Sequence, residues 1–264
     1  MNDRNRTQAF SRENLMRAAD QAGALAAEKH AQPFTPTHHR GGGATWTCGE
    51  CGETHRVPQY WPSEDQCPCQ RAAFEKAGQA YYDANRPRAV AWHMEQAGIP
   101  PRFAGATLDS FQPRKGAAIA MRACKRWVDG FTLDTTTGLF LQGPFGSGKT
   151  HMAIGVLRAA VERALPHARF VNVAELLARV RAGMATHEAD APVRAALAAE
   201  LLVLDDLAQD SLSEWGRGIV WEVLDGRYRG NRPTILTSNA SDVQIRERLG
   251  GAVLGCTRCV SWCP

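Results

Sequence analysis

The chain has 264 residues, 44% of them hydrophobic and 22% charged, with a formal net charge of +4. That length holds one large domain and a small appendage, and no apolar run approaches the roughly 18 residues a membrane span needs, which excludes a membrane-spanning protein. The mild basic excess permits nucleic-acid contact without requiring it. The first residues, Met-Asn-Asp-Arg-Asn-Arg, lead into a charged stretch and not an apolar export signal, so the expected location is the cytoplasm.

Residues 1 to about 32 carry helical spacing (Leu15, Ala18, Ala19, Ala22, Leu25) among many charges, which predicts a solvated or partner-seeking helix. Residues 33–44, with two prolines and three successive glycines, read as a linker, so that 1–44 forms a helical segment and its linker. Residues 45–70 hold Cys48, Cys51, Cys67 and Cys69 in the pattern C-x2-C-x15-C-x-C. Two close pairs of thiolates suit a tetrahedral Zn²⁺ site, with His55 as a substitute ligand, and so small a unit would draw its folding energy from the metal. Clustering of this kind in a cytosolic chain favours metal over disulfides. Residues 71–101 are again helical in pattern, with Pro87 expected to break the helix in two before the stop at Gly98-Ile-Pro-Pro101.

From 102 to 254 short apolar runs alternate with amphipathic segments. Strands are predicted at 138–142, 169–173, 201–204 and 234–237, with helices starting near 149, 174, 191 and 213. Such alternation predicts an α/β fold, a parallel sheet with helices on both faces, preceded by the small zinc-binding unit and helices.

Residues 143–150, Gly143, Pro144, Phe145, Gly146, Ser147, Gly148, Lys149 and Thr150, complete the phosphate-loop pattern G-x-x-x-x-G-K-[ST] between a predicted strand and a predicted helix. The glycines let backbone amides wrap a triphosphate at a helix N-terminus; Lys149 would reach the outer phosphates of ATP and Thr150 would ligate Mg²⁺. The strand pattern at 201–204 ends in Asp205 and Asp206, at the sheet edge where ligands gather. Asp205 would hold Mg²⁺ and Asp206 would orient or deprotonate the attacking water. Asn239, at the tip of the 234–237 strand, offers both donor and acceptor to a γ-phosphate or the water, although Ser-Asn is also an ordinary turn.

Together these residues resemble the helicase-loader branch of the P-loop AAA+ ATPases, the DnaC/DnaI-like proteins, and the related IstB-like transposition helpers. The likeness covers roughly residues 98–254 and rests on 98–111, the phosphate loop, Val203-Leu-Asp-Asp-Leu207 and 227–239. It implies an ATPase that places a replicative helicase on single-stranded DNA or assists transposition, with Asp206 and Asn239 as catalytic residues and self-association through the ATPase domain. It also implies that an N-terminal zinc unit, as in DnaI-like loaders, serves partner binding. Arg122, Lys125, Arg126, Arg227, Arg229 and Arg232 are candidates for strand contact, against the simpler reading of solvated helix faces.

Where such relatives carry a Ser-Arg-Leu element whose arginine reaches a neighbouring subunit's ATP, this chain has Gly255 and Cys256. Only five of its 31 basic residues are lysine, which suggests a GC-rich gene, and three of its eight cysteines fall in the last nine residues. These features suggest that 255–264 is an aberrant tail read out of frame that truncates the ATPase core, and they leave as an alternative to an active ATPase a nucleotide-binding adaptor without efficient hydrolysis. An inert segment and a three-cysteine metal site are the other readings of that tail, in that order.

Overall fold

The computed structural model describes residues 11–30, 37–38, 44–47, 52–56, 68–112, 117–207, 212–249 and 257–261. The chain divides into two compact units, Met1–Trp92 and His93–Pro264.

In the first unit, α1 (Arg12–His30) buries Leu15, Ala19, Gly23 and Ala27, a stripe of one residue every four. A Cβ on Gly23 would lie 2.8 Å from the carbonyl oxygen of Phe74, so the missing side chain is what lets α1 approach α2 (Pro68–Gln96) this closely. One face of α1 is therefore packed against α2, the other faces staying exposed: small residues at i, i+4 spacing form a contact face that hydrophobicity alone understates. Between the helices lie β1 (Thr37–His38), β2 (Ala44–Thr47) and β3 (Thr54–Arg56) in an antiparallel meander. β1 falls inside the stretch read as linker. Thr47 pairs with Thr54, so β2 and β3 bracket the stretch that contains Cys48 and Cys51.

α2 runs through Pro87 without a break. Proline removes one hydrogen bond and crowds the carbonyl four residues back, at roughly 3 kcal/mol in a helix interior. Here Pro87 and Asp83 are both exposed, so the orphaned carbonyl of Asp83 can turn to water while the remaining turns hold the helix.

In the second unit a 3₁₀ turn (Pro101–Phe103) and α3 (Ala117–Asp129) precede β4 (Gly138–Gln142). There follow α4 (Lys149–Ala164), β5 (Ala168–Asn172), α5 (Val173–Gly183), α6 (Asp190–Ala198) and β6 (Leu201–Asp205). The chain continues through α7 (Glu214–Arg229), β7 (Thr234–Ser238), α8 (Asp242–Leu249) and β8 (Thr257–Ser261). The strands form one parallel sheet in the order β5-β6-β7-β4-β8. Phe140, Leu202, Leu204 and Leu236 bury one face against the covering helices, where they meet Leu176 and Val180 of α5, Val193 of α6 and Val220 and Val223 of α7. Their strand neighbours Leu139, Leu141, Leu201, Val203 and Ile235 alternate to the other face and are equally buried, as are Met152 and Ile154 of α4 and Cys124 of α3. Burial pushes the Cys124 thiol up to about 12, in keeping with an inert core cysteine.

The predicted strands agree with β4 to β7 to within one residue at each end. The stretch read as an aberrant tail contributes β8: Thr257 to Ser261 pair in parallel with Gly138 to Gln142. Backbone pairing along an open edge reads few side chains, and for that reason composition gave no warning of it. No helix among the described residues is long and apolar enough to cross a membrane.

Arg227 was a candidate for strand contact, and that reading is corrected: it is 1% exposed. Its guanidinium donates to Thr234 Oγ1 (2.8 Å) and to the carbonyls of Ala196 (2.8 Å), Ala199 (2.7 Å) and Pro233 (2.7 Å). It thus ties the end of α6 to the start of β7. Burial, and secondarily Arg232, lowers its pKa to about 9, which leaves it charged at neutral pH. Replacing Arg227 with Leu should cost roughly 3–5 kcal/mol, because the buried carbonyls lose their donors. Arg227→Lys should recover only part of that loss, since one ammonium cannot reproduce the planar fork. Urea unfolding of the two variants measures both effects, and wild-type stability in the leucine variant would refute the role.

Candidate functional site

The phosphate loop leaves the carboxyl end of β4 and enters α4 at its first residue, Lys149. Gly146 and Gly148 have φ of +72° and +91°, conformations that side-chain-bearing residues rarely adopt, so the amide-rich curl of the loop depends on them. A Cβ on Gly148 would also meet the ring of Phe111 at 2.4 Å. Phe145 projects from the loop at 84% exposure, whereas Lys149 is buried. Ser147 Oγ is buried and lacks a hydrogen-bond partner, an orphan polar atom inside a loop built of amide donors.

Lys149 Nζ donates to the carbonyls of Gly143 and Pro144 (2.9 Å each) and to Asn239 Oδ1 (2.5 Å). Burial lowers its pKa, opposed by the charges of Asp206 and Asp205. Asn239 Nδ2 in turn donates to Asp206 Oδ1 at 3.3 Å. One amide therefore links the ammonium of the loop to the second acidic residue. Asn239 owes its position to β7, which lies beside β4: Gly143 N donates to Ser238 O at 3.2 Å, and Gln142 Nε2 to Ala240 O at 2.8 Å.

Asp205 ends β6. Its Oδ1 accepts from Thr150 Oγ1 (2.9 Å) and from Thr237 Oγ1 (2.6 Å), while the Thr237 hydroxyl accepts from the backbone N–H of Asp206 (2.9 Å). Burial raises the carboxyl's pKa, and the two hydroxyl donors oppose that rise without cancelling it. Asp206 has φ of +61°, a left-handed conformation that aspartate tolerates better than most residues. That turn presents two consecutive carboxylates at one strand end.

The structure thus brings together Gly143 to Thr150, Asp205, Asp206 and Asn239, as the sequence led us to expect. The pairing of Thr150 with Asp205 gives two oxygen ligands of the kind Mg²⁺ accepts. The loop amides, the Lys149 ammonium and the orphan Ser147 hydroxyl form a donor set suited to a polyphosphate. Three contributors escaped the sequence reading. Thr237 is one, and its only signal is a polar residue inside an apolar strand. The others are His151 and Phe111, whose rings lie 5.5 Å apart beside the loop. They belong to segments distant in sequence and meet only through packing.

Other expectations fared differently. Arg122, Lys125, Arg126, Arg229 and Arg232 are exposed, with Lys125 held by Asp109 (3.2 Å), Arg229 by Asp225 (2.8 Å) and Arg232 by the carbonyl of Leu197 (2.5 Å). Cys48, Cys51 and Cys67 lie outside the described residues, and Cys69 is half-buried in the first turn of α2. Among the described residues no cluster of three or more His, Cys, Asp or Glu is placed to hold a metal ion.

Residues 84–257 match the family described as IstB-like ATP binding protein. An insertion-sequence ATP-binding protein of Sinorhizobium fredii is 25% identical over 189 residues, 69% of this chain and 60% of that protein. An ATP-binding protein in an insertion sequence of Mycobacterium tuberculosis is 30% identical over 124 residues, 47% of each chain. The crystal structure of the DnaC helicase loader aligns with a TM-score of 0.58 at 26% identity, covering 62% of this chain and 100% of that one. The chain therefore matches about half to three-fifths of the length of these curated relatives.

The raised pKa of Asp205 has a signed consequence. Its contribution to folding is fully present below the ordinary value of 3.8 and is lost as pH rises through the higher folded value, because the native state there holds a proton that the unfolded state has released. Protein without nucleotide should thus lose stability as pH rises through that window, and Asp205→Asn should flatten the profile. The same substitution should abolish the Mg²⁺-dependent part of any nucleotide-induced rise in melting temperature, and a full Mg²⁺ response in Asp205→Asn would exclude it as a ligand.

Proposed function

The chain belongs to the IstB-like ATP-binding protein family, and we propose that it is an ATPase that uses Mg·ATP to engage a partner machine on DNA. The observation that supports this reading is the hydrogen-bonded Lys149, Asn239 and Asp206 chain beside the Thr150 and Asp205 pair. In it the loop amides and Lys149 bind the polyphosphate, and Thr150 with Asp205 holds Mg²⁺, which supplies charge neutralisation at the phosphates. Asp206 takes a proton from the attacking water or orients it, with its carboxylate aimed by Asn239. Asn239 also contacts Lys149, so an incoming γ-phosphate competes for the same ammonium and alters the hold on Asp206.

The partner favoured by the likeness to the DnaC helicase loader is a replicative helicase, loaded on single-stranded DNA. Exposed Arg122, Lys125, Arg126, Arg229 and Arg232 supply charge for strand contact, and turnover draws on self-association through the ATPase domain. A specific observation favours a second reading, a helper of transposition: both curated relatives described above belong to insertion sequences. Cytoplasmic action suits either partner.

Zinc belongs to the same proposal. β2 and β3 are paired at the two ends of the stretch holding Cys48 and Cys51, a hairpin setting that supports a shared metal with Cys67 and Cys69. The zinc unit would dock the partner.

Lys149→Ala should abolish the ATP-induced rise in melting temperature and all ATP hydrolysis, leaving metal content unchanged; full hydrolysis in that variant would refute the ATPase reading. Helicase recovered with the purified protein favours the loader, and transposase recovered instead favours the helper. Elemental analysis should find one zinc per chain, and Cys48→Ser should remove it while ATP binding persists. Absence of zinc from freshly purified wild-type protein would defeat the metal site.

A further inference from the structure

We propose that Asn172 is a positioning residue for the metal end of the site, aiming the Asp205 carboxylate with its amide nitrogen while its side-chain carbonyl starts α5. This rests on the reading of Asp205 as a ligand of Mg²⁺.

Asn172 is the last residue of β5, and α5 begins at Val173 with no loop between them. In the parallel register it stands directly beside Asp205, the last residue of β6. Neighbouring strands lie about 4.8 Å apart, so the two side chains leave the sheet edge within reach of each other. The Asn172 backbone is extended (φ −81°, ψ 135°), and its Oδ1 accepts from the amides of Ala174 at 3.0 Å and Glu175 at 3.3 Å. The side chain is the N-cap of α5.

A side-chain amide has one oxygen and one NH₂ group, and the cap commits the oxygen. Only donors remain. Asn172 donates to the Asp205 carboxylate, a bond that favours the ionised form against the burial that raises its pKa. Asn, Asp and Ser cap helices about equally well. Of the three, aspartate brings no donor and adds a negative charge beside Asp205, and serine is too short to span from the helix amides to the neighbouring strand. Capping alone does not call for asparagine here, whereas capping together with a hold on Asp205 does.

Donors from three elements thus converge on one carboxylate: Thr150 from α4, Thr237 from β7 and Asn172 from β5. A carboxylate has about four lone-pair sites, so the three leave room for a cation. Thr150 is needed as a metal ligand in its own right. Because β6 lies between β5 and β7, Asn172 and Thr237 brace Asp205 from the two strands beside it. Asn172 therefore acts through Asp205 and not through contact with the nucleotide. Removing a residue that orients a metal ligand typically costs about 10- to 100-fold in metal affinity.

The test is calorimetric titration of the full chain with ATP, once with Mg²⁺ and once with EDTA, beside the melting temperature without ligand. Asn172→Ser keeps an oxygen for the cap and lacks the amide, so it should melt as wild type does, bind ATP in EDTA within about twofold of wild type, and lose about tenfold in affinity with Mg²⁺. Asn172→Thr, a second capping residue, should show the same loss confined to Mg²⁺, and it keeps the comparison readable if the serine variant melts lower. If both variants bind Mg·ATP as tightly as wild type while Asp205→Asn loses the Mg²⁺ response, or if they lose affinity equally with and without Mg²⁺, Asn172 is a helix cap alone and the proposal is overturned. If Asp205→Asn keeps a full Mg²⁺ response, the ligand reading itself fails and the positioning role falls with it.

Discussion

One hydroxyl group fixes the acidic end of the site. Thr237, buried in β7, donates to the carboxylate of Asp205 and accepts from the amide of Asp206, so it orients two consecutive residues of a neighbouring strand at once. Without it Asp205 would depend on Thr150 for a hydroxyl donor, and the left-handed turn at Asp206 would lose the anchor for its N–H. A buried carboxylate costs several kcal/mol unless it is hydrogen-bonded or paired. The hydroxyls offset that cost, yet its pKa stays raised, which leaves it poised for a cation.

Strand order makes this convergence available. β7 lies between β6 and β4, so a residue at its tip can reach both the acidic pair and the phosphate loop. The other end of the same strand is held just as tightly. Gly138 of β4 sits where a Cβ would be 1.9 Å from the Thr234 carbonyl, and Thr234 receives the guanidinium of the buried Arg227. β7 is clamped at its start by an arginine and used at its end by Thr237 and Asn239. A charged residue is thus committed inside the fold to hold in register the strand whose tip meets both the acidic pair and the phosphate loop.

Strands β4 to β7 were legible because each is a short run rich in apolar residues, and because the phosphate loop joins one of them to a helix. Asp205, Asp206 and Asn239 were legible for a related reason: in a parallel sheet every strand ends on the same side, so polar residues after apolar runs meet. Thr237 was not, since its role depends on which strand lies beside β7, and that order is absent from any local pattern. Arg227 misled because periodicity and charge describe an exposed helix face equally well, and only the packing of α6 against α7 buries it. Pro87 misled in the opposite direction: local propensity argues for a break, and exposure of Asp83 makes continuation tolerable. β8 shows the same limit at an edge, where pairing depends on an available neighbour more than on sequence.

α4 carries three functions on three faces, and its rigidity joins them. Its N-terminus faces the loop, Ile154, Leu157 and Val161 enter the core, and His151, Gly155 and Arg158 hold residues 104–111 as a strap along one side of the helix. Attachment at three successive turns leaves the strap no freedom to move independently of the helix, since sliding by one residue would place Leu108 against a side chain in place of Gly155. Residues 104–111 follow directly on the 3₁₀ turn at Pro101–Phe103 and on Ala97, whose carbonyl accepts from the Phe170 amide of β5 at 2.7 Å. The strap is thus held to α4 along its length, and the chain just before it is held to the sheet through Ala97.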